Sequence, residues 1–112
     1  MRRISRLIIS VCAASFSVNA WSACPYPEDV QVPDGATSTT EEMVAGQKAV
    51  KAFMADGEAY LACLDAEAAA AGPEEAPEAK AARNADYNSV VAEQEEVAAA
   101  FNTAIKAFKA KQ

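Results

Sequence analysis

The chain has 112 residues, 52 % of them hydrophobic but only 7 % aromatic, with 16 acidic and 10 basic side chains and a net charge of −6. That length makes one small domain, and the acidic balance repels phosphate backbones, so no nucleic-acid partner is expected. Histidine is absent, which removes the commonest general base, the commonest metal ligand and the usual axial ligand of a haem-binding helix bundle.

Residues 1–23 read as a cleavable export signal. Arg2, Arg3 and Arg6 hold the amino end on the cytoplasmic side, Leu7 to Val18 form an apolar stretch diluted only by serines, and small residues follow. Cleavage is expected after Ala20 or Ser22. An apolar run of about 12 residues falls short of the roughly 20 that span a bilayer, so no stable membrane anchor is expected after cleavage. Ser5 stands where a twin-arginine signal wants a large apolar residue, and Trp21-Ser22-Ala23 before Cys24 is not the Leu-led box of a lipoprotein. The expected location is periplasmic, and the exported chain carries seven basic against 16 acidic residues, a net charge of −9.

Cys12 lies inside the signal, which leaves Cys24 and Cys63 as an even pair. In an oxidising compartment the default for such a pair is a disulfide, with an intermolecular bridge or two free thiols as the alternatives. Neither cysteine belongs to a Cys-x-x-Cys pair, so catalytic redox work is not expected. Residues 24–38 form an extended arm: Cys24-Pro25-Tyr26-Pro27 and Val32-Pro33 favour polyproline geometry, and Pro33-Asp34-Gly35 has the chemistry of a tight turn. From Cys24 to Thr39 the arm can cover about 46 Å at 3.1 Å per residue. Cys63 lies about 36 Å along a helix that starts near Thr39, so the arm can fold back and reach it.

Helix one is expected over 39–71. Ser38-x-x-Glu41 and Thr39-x-x-Glu42 are overlapping capping boxes. A stripe then runs Met43, Gln47, Val50, Met54, Gly57, Leu61, Leu64 and Ala68 at spacings of three and four, with Phe53 and Tyr60 widening it. Gly57 within that stripe costs about 1 kcal/mol relative to alanine, which points to something approaching closely: helix two near Val91, the arm's Tyr26, or a partner's side chain. Gly72-Pro73 opens a turn over 72–77.

Helix two is expected over 78–111, with acidic residues and Pro77 at its start and a stripe of Asn84, Tyr87, Val91, Gln94, Ala98, Phe101, Ile105 and Phe108. Two stripes of equal length and a short turn make an antiparallel, coiled-coil-like hairpin. Folding it about residues 74 and 75 sets Glu41 and Glu42 near Lys106, Lys109 and Lys111. The expected fold is therefore all-α, a two-helix hairpin with an extended arm stapled by a disulfide. Alanine-rich stripes bury little, so either the arm covers them or a homodimer closes into a four-helix bundle.

The Cys-Pro arm, Pro33-Asp34-Gly35-Ala36, Glu42-Met43, Gln47, Val50-Lys51 and Tyr60-Leu61-x-Cys63-Leu64 together resemble a group of short exported proteobacterial proteins without an assigned activity. The resemblance covers Cys24 to about Glu67. It implies that the arm and the cysteine pair form one unit, and it carries no functional residues across.

No catalytic set, cofactor site or metal site is expected. Glu93, Glu95 and Glu96 read as a solvated helix face, Asp56, Asp65 and Glu67 lack calcium-loop spacing, and Met43 and Met54 are too few for a copper carrier. Lysines beside Phe101, Ile105 and Phe108 complement a helix carboxyl end better than they make a membrane patch. What remains is a small acidic protein, not an enzyme, acting through contact with a protein partner as an accessory subunit, adaptor or inhibitor. A holdase-like envelope chaperone and a ligand carrier are the alternatives. Tyr26, Gly57 and Tyr60 are the candidate contact residues.

Overall fold

The computed structural model describes residues 24–112; the expected export signal at 1–23 lies outside them. Two helices pack antiparallel, α1 over Thr40–Ala71 and α2 over Pro77–Ala110, and no strand occurs among the described residues. The all-helical hairpin and its stapled arm are as the patterning predicts.

Capping chemistry sets the helix ends. Thr39 has extended backbone and its Oγ1 accepts the N–H of Glu42 at 3.2 Å, which selects the second of the two overlapping boxes. Ser38 is buried instead, and its N–H donates to the Asp34 carbonyl at 2.9 Å. Gly72 closes α1 at a φ of 68°, a left-handed conformation that costs glycine nothing. Pro77 opens α2 at a first-turn position, where its missing N–H would have had no helical partner. Glu75 and Arg83 clasp the start of α2 through two parallel contacts of 2.5 Å. This bidentate hydrogen bonding lowers the Glu75 carboxyl pKa and raises that of the Arg83 guanidinium.

The arm runs back along one side of the hairpin, antiparallel to α1 and parallel to α2. Cys24 is bonded to Cys63, with Cα atoms 5.7 Å apart. Farther along, a Cβ at Gly46 would lie 2.6 Å from the Pro33 ring, and one at Gly35 would lie 1.8 Å from the Ala104 carbonyl oxygen. From Cys24 to Pro33 the arm advances about 2.8 Å per residue against the helix rise, close to the polyproline value. Asp34 then turns the chain: its carboxylate accepts from Ala36 N–H at 2.9 Å and its carbonyl from Thr37 N–H at 3.2 Å.

The arm also decides which residues make the seam. Those buried on α1 are Met43, Gly46, Val50, Phe53, Gly57, Tyr60 and Leu64, an unbroken heptad in which Phe53 and Tyr60, expected to widen the stripe, are buried with Gly46, while the expected Gln47, Met54 and Leu61 are not. On α2 the buried residues are Val90 and Ala104, each one place before the expected Val91 and Ile105. Both shifts turn the helices toward the arm, because a groove covered on one flank excludes more water there. Met54, Leu61, Val91, Ala98 and Ile105 are left half-buried on the opposite flank.

The expected approach of Glu41 and Glu42 to the terminal lysines forms no ion pair; among the described residues the ion pair is Glu75–Arg83. Lys111 donates instead to the Ser38 carbonyl and stands 4.8 Å from the centre of the Phe108 ring. The arm's turn is seated between the open ends of the helices, so a backbone acceptor is the nearer partner.

Candidate functional site

Three of the five residues singled out by sequence, Cys24, Tyr60 and Cys63, converge on the core. Cys24, Tyr60 and Leu64 form its centre with Val90, which is 0 % exposed, and Leu61, Cys63 and Tyr87 pack against them. The arm's tyrosine joins from outside: Tyr26 and Tyr60 meet edge to face with ring centres 5.1 Å apart. Tyr26 is 45 % exposed, and its hydroxyl donates to Glu93 Oε1 at 2.8 Å. Gly57 stands apart from this cluster. A Cβ there would lie 2.4 Å from Gln94 Nε2, and that amide donates to the Met54 carbonyl at 3.1 Å. Helix two thus makes the close approach, through Gln94 in place of Val91.

The electrostatics follow from these contacts. Donation to Glu93 pushes the Tyr26 hydroxyl up to about 12. Burial, then the charges of Asp86 and Glu67, raise that of Tyr60. An unfolded tyrosine ionises near its ordinary value of about 10. Between the two values the unfolded chain has lost the Tyr26 proton and the folded chain has kept it, so stability falls as pH rises from about 10 to about 12. Absorbance titration near 295 nm is expected to show Tyr26 ionising near pH 12, and Glu93→Gln to bring it back toward 10.

Sequence patterning did not single out Glu67. Its Oε1 stands 3.3 Å from Cys24 Sγ, and since a disulfide sulfur carries no proton this is not a donated hydrogen bond. Ligand-type atoms of Cys24, Cys63 and Glu67 all lie within 4.8 Å of one another. The available signal was the four-residue step from Cys63 to Glu67, which sets both on one helical face. Cys24 and Glu67 border a cleft of about 420 Å³ toward the hairpin turn, which Arg83 and Asp86 also line.

A second groove, about 290 Å³, opens at the other end of the hairpin. Met43, Val44, Phe101, Ile105 and Phe108 make it apolar, and Gln47 and Lys109 also line it. Val44 is 46 % exposed. Neither cleft encloses a small molecule as a deep pocket would.

No described helix is long and apolar enough to cross a membrane. No family model matches the chain, and comparison with curated proteins and with solved structures brings no match either.

Proposed function

We propose that this is an exported, disulfide-stapled helical module that works in the periplasm by holding a protein partner, without catalysis of its own. The observation that carries the reading is the uneven covering of the hairpin. Its arm buries one flank, and the other keeps Met54, Leu61, Val91, Ala98 and Ile105 half-buried, ending in the apolar groove around Val44. A partner's apolar side chains set along that flank would fill it as the extended arm fills the other side. The acidic charge around it keeps the uncomplexed module soluble.

A photo-crosslinking amino acid at Val44, introduced in the exporting cell, is expected to give one discrete adduct in the envelope fraction, while the same probe at the exposed Glu95 gives none. A spread of adducts that grows under heat stress would support the chaperone alternative instead. No adduct at Val44, or equal adducts at both positions, would overturn the assignment of this groove.

A further inference from the structure

We propose that the reduced form of this protein binds one thiophilic divalent cation, of the zinc and cobalt class, through Cys24, Cys63 and Glu67. The three ligand atoms already lie within 4.8 Å of one another. Two thiolates and one carboxylate are a ligand set that zinc accepts in tetrahedral geometry, with the fourth position left to water. Two thiolates on one zinc stand about 3.8 Å apart, from Zn–S distances near 2.3 Å and tetrahedral angles. Cys63 is the less buried of the pair, so rotation about its Cα–Cβ bond can open that spacing while the Cα atoms keep their 5.7 Å separation.

Opening the disulfide leaves Cys24 in place because the arm has other anchors. Pro27 is buried, Tyr26 packs on Tyr60 and bonds Glu93, and Pro33 and Gly35 are seated on Gly46 and Ala104. The thiols therefore remain neighbours, which lowers the ordering cost of binding a metal. Local charge favours a cation. Glu67 and Asp86 face the same cleft, and its one guanidinium, Arg83, is engaged by Glu75. The cleft's volume of about 420 Å³ leaves room for the water ligand.

The chemistry balances in two steps. A two-electron reductant, a dithiol protein or in the test a water-soluble phosphine, breaks the S–S bond; two electrons and two protons give two thiols, and the phosphine leaves as its oxide with oxygen from water. The cation then replaces both thiol protons, which pass to solvent. The disulfide form has no thiolate to offer and does not bind. This proposal is independent of the contact function above.

The test is anaerobic titration of the phosphine-reduced protein with Co²⁺, followed by Zn²⁺. One Co²⁺ per chain is expected, with thiolate-to-cobalt charge-transfer absorption in the near ultraviolet and visible bands that zinc abolishes; the oxidised protein shows neither. Glu67→Gln, at an exposed position, is expected to weaken binding by at least about tenfold, since even groups that only hydrogen-bond to metal ligands contribute about 10- to 100-fold. Far-ultraviolet circular dichroism of both reduced proteins is expected to retain the helical signal. Absence of the charge-transfer band in the reduced wild type, with or without loss of helix, overturns the site. Equal affinity of the Glu67→Gln variant overturns the three-residue set.

Discussion

Replacing Cys24 and Cys63 together by alanine is expected to lower the free energy of unfolding by about 4 kcal/mol, the loop-closure entropy of a crosslink spanning about 40 residues. The bond joins positions 39 residues apart, and without it the unfolded chain regains the freedom that the loop denies it. For a domain of this size the loss corresponds to a fall of roughly 20 °C in melting temperature. Domains are commonly stable by about 5 to 15 kcal/mol, so the uncrosslinked protein would remain folded in cool dilute buffer with little margin. Guanidinium denaturation of both forms checks this. A change below about 1 kcal/mol would mean that the arm's other anchors restrain the unfolded ensemble by themselves, and the bond would lose its stabilising role.

The next largest effect is expected at a small residue. At Gly35 an added Cβ would meet the Ala104 carbonyl oxygen at 1.8 Å, its carbon at 2.7 Å and the Phe108 nitrogen at 2.9 Å, all of them backbone. Backbone in a packed helix does not yield, so Gly35→Ala has to lift the arm's turn off α2, at about 2 to 3 kcal/mol. Gly57→Ala is expected to differ in kind. Its nearest neighbour is the end of the Gln94 side chain, which can swing aside. The variant gains about 1 kcal/mol of helix propensity and loses a hydrogen bond of similar worth, leaving stability close to unchanged. In a Gln94→Ala background, where no bond remains to lose, Gly57→Ala is expected to stabilise by about 1 kcal/mol. Denaturation midpoints of the four proteins measure these differences. Equal losses at Gly35 and Gly57 would mean that steric contact with backbone is not what separates them.

The candidate site was partly legible in the residues. An even cysteine pair, a proline-stiffened arm of sufficient reach and a helix start at Thr39 place Cys24 beside Cys63, because each is a question of length and local geometry. The sequence offers Tyr26 as a cover for Gly57, but the stapled arm sets it on Tyr60, on the turn of α1 that precedes Cys63. Glu67 was less visible. Glutamates on an acidic helix all look alike in one dimension, and only the path of the arm brings Cys24 Sγ to 3.3 Å from this one. The groove around Val44 could not be read either, since a stripe of threes and fours does not say which of its two flanks another segment will cover.

The two helices, their approximate ends and their antiparallel pairing are legible in one dimension. Capping at Thr39, the left-handed Gly72 and Pro77 at a first turn act through hydrogen bonds and torsions within a few residues, so the information is local and complete. The seam is set by the packing of the whole chain. Gly46, Phe53 and Tyr60 are buried while Met54 and Leu61 are half-exposed, because the arm lies on one flank. Hydrophobic burial rewards area removed from water by whatever segment arrives there, and which segment arrives is settled by the whole chain at once.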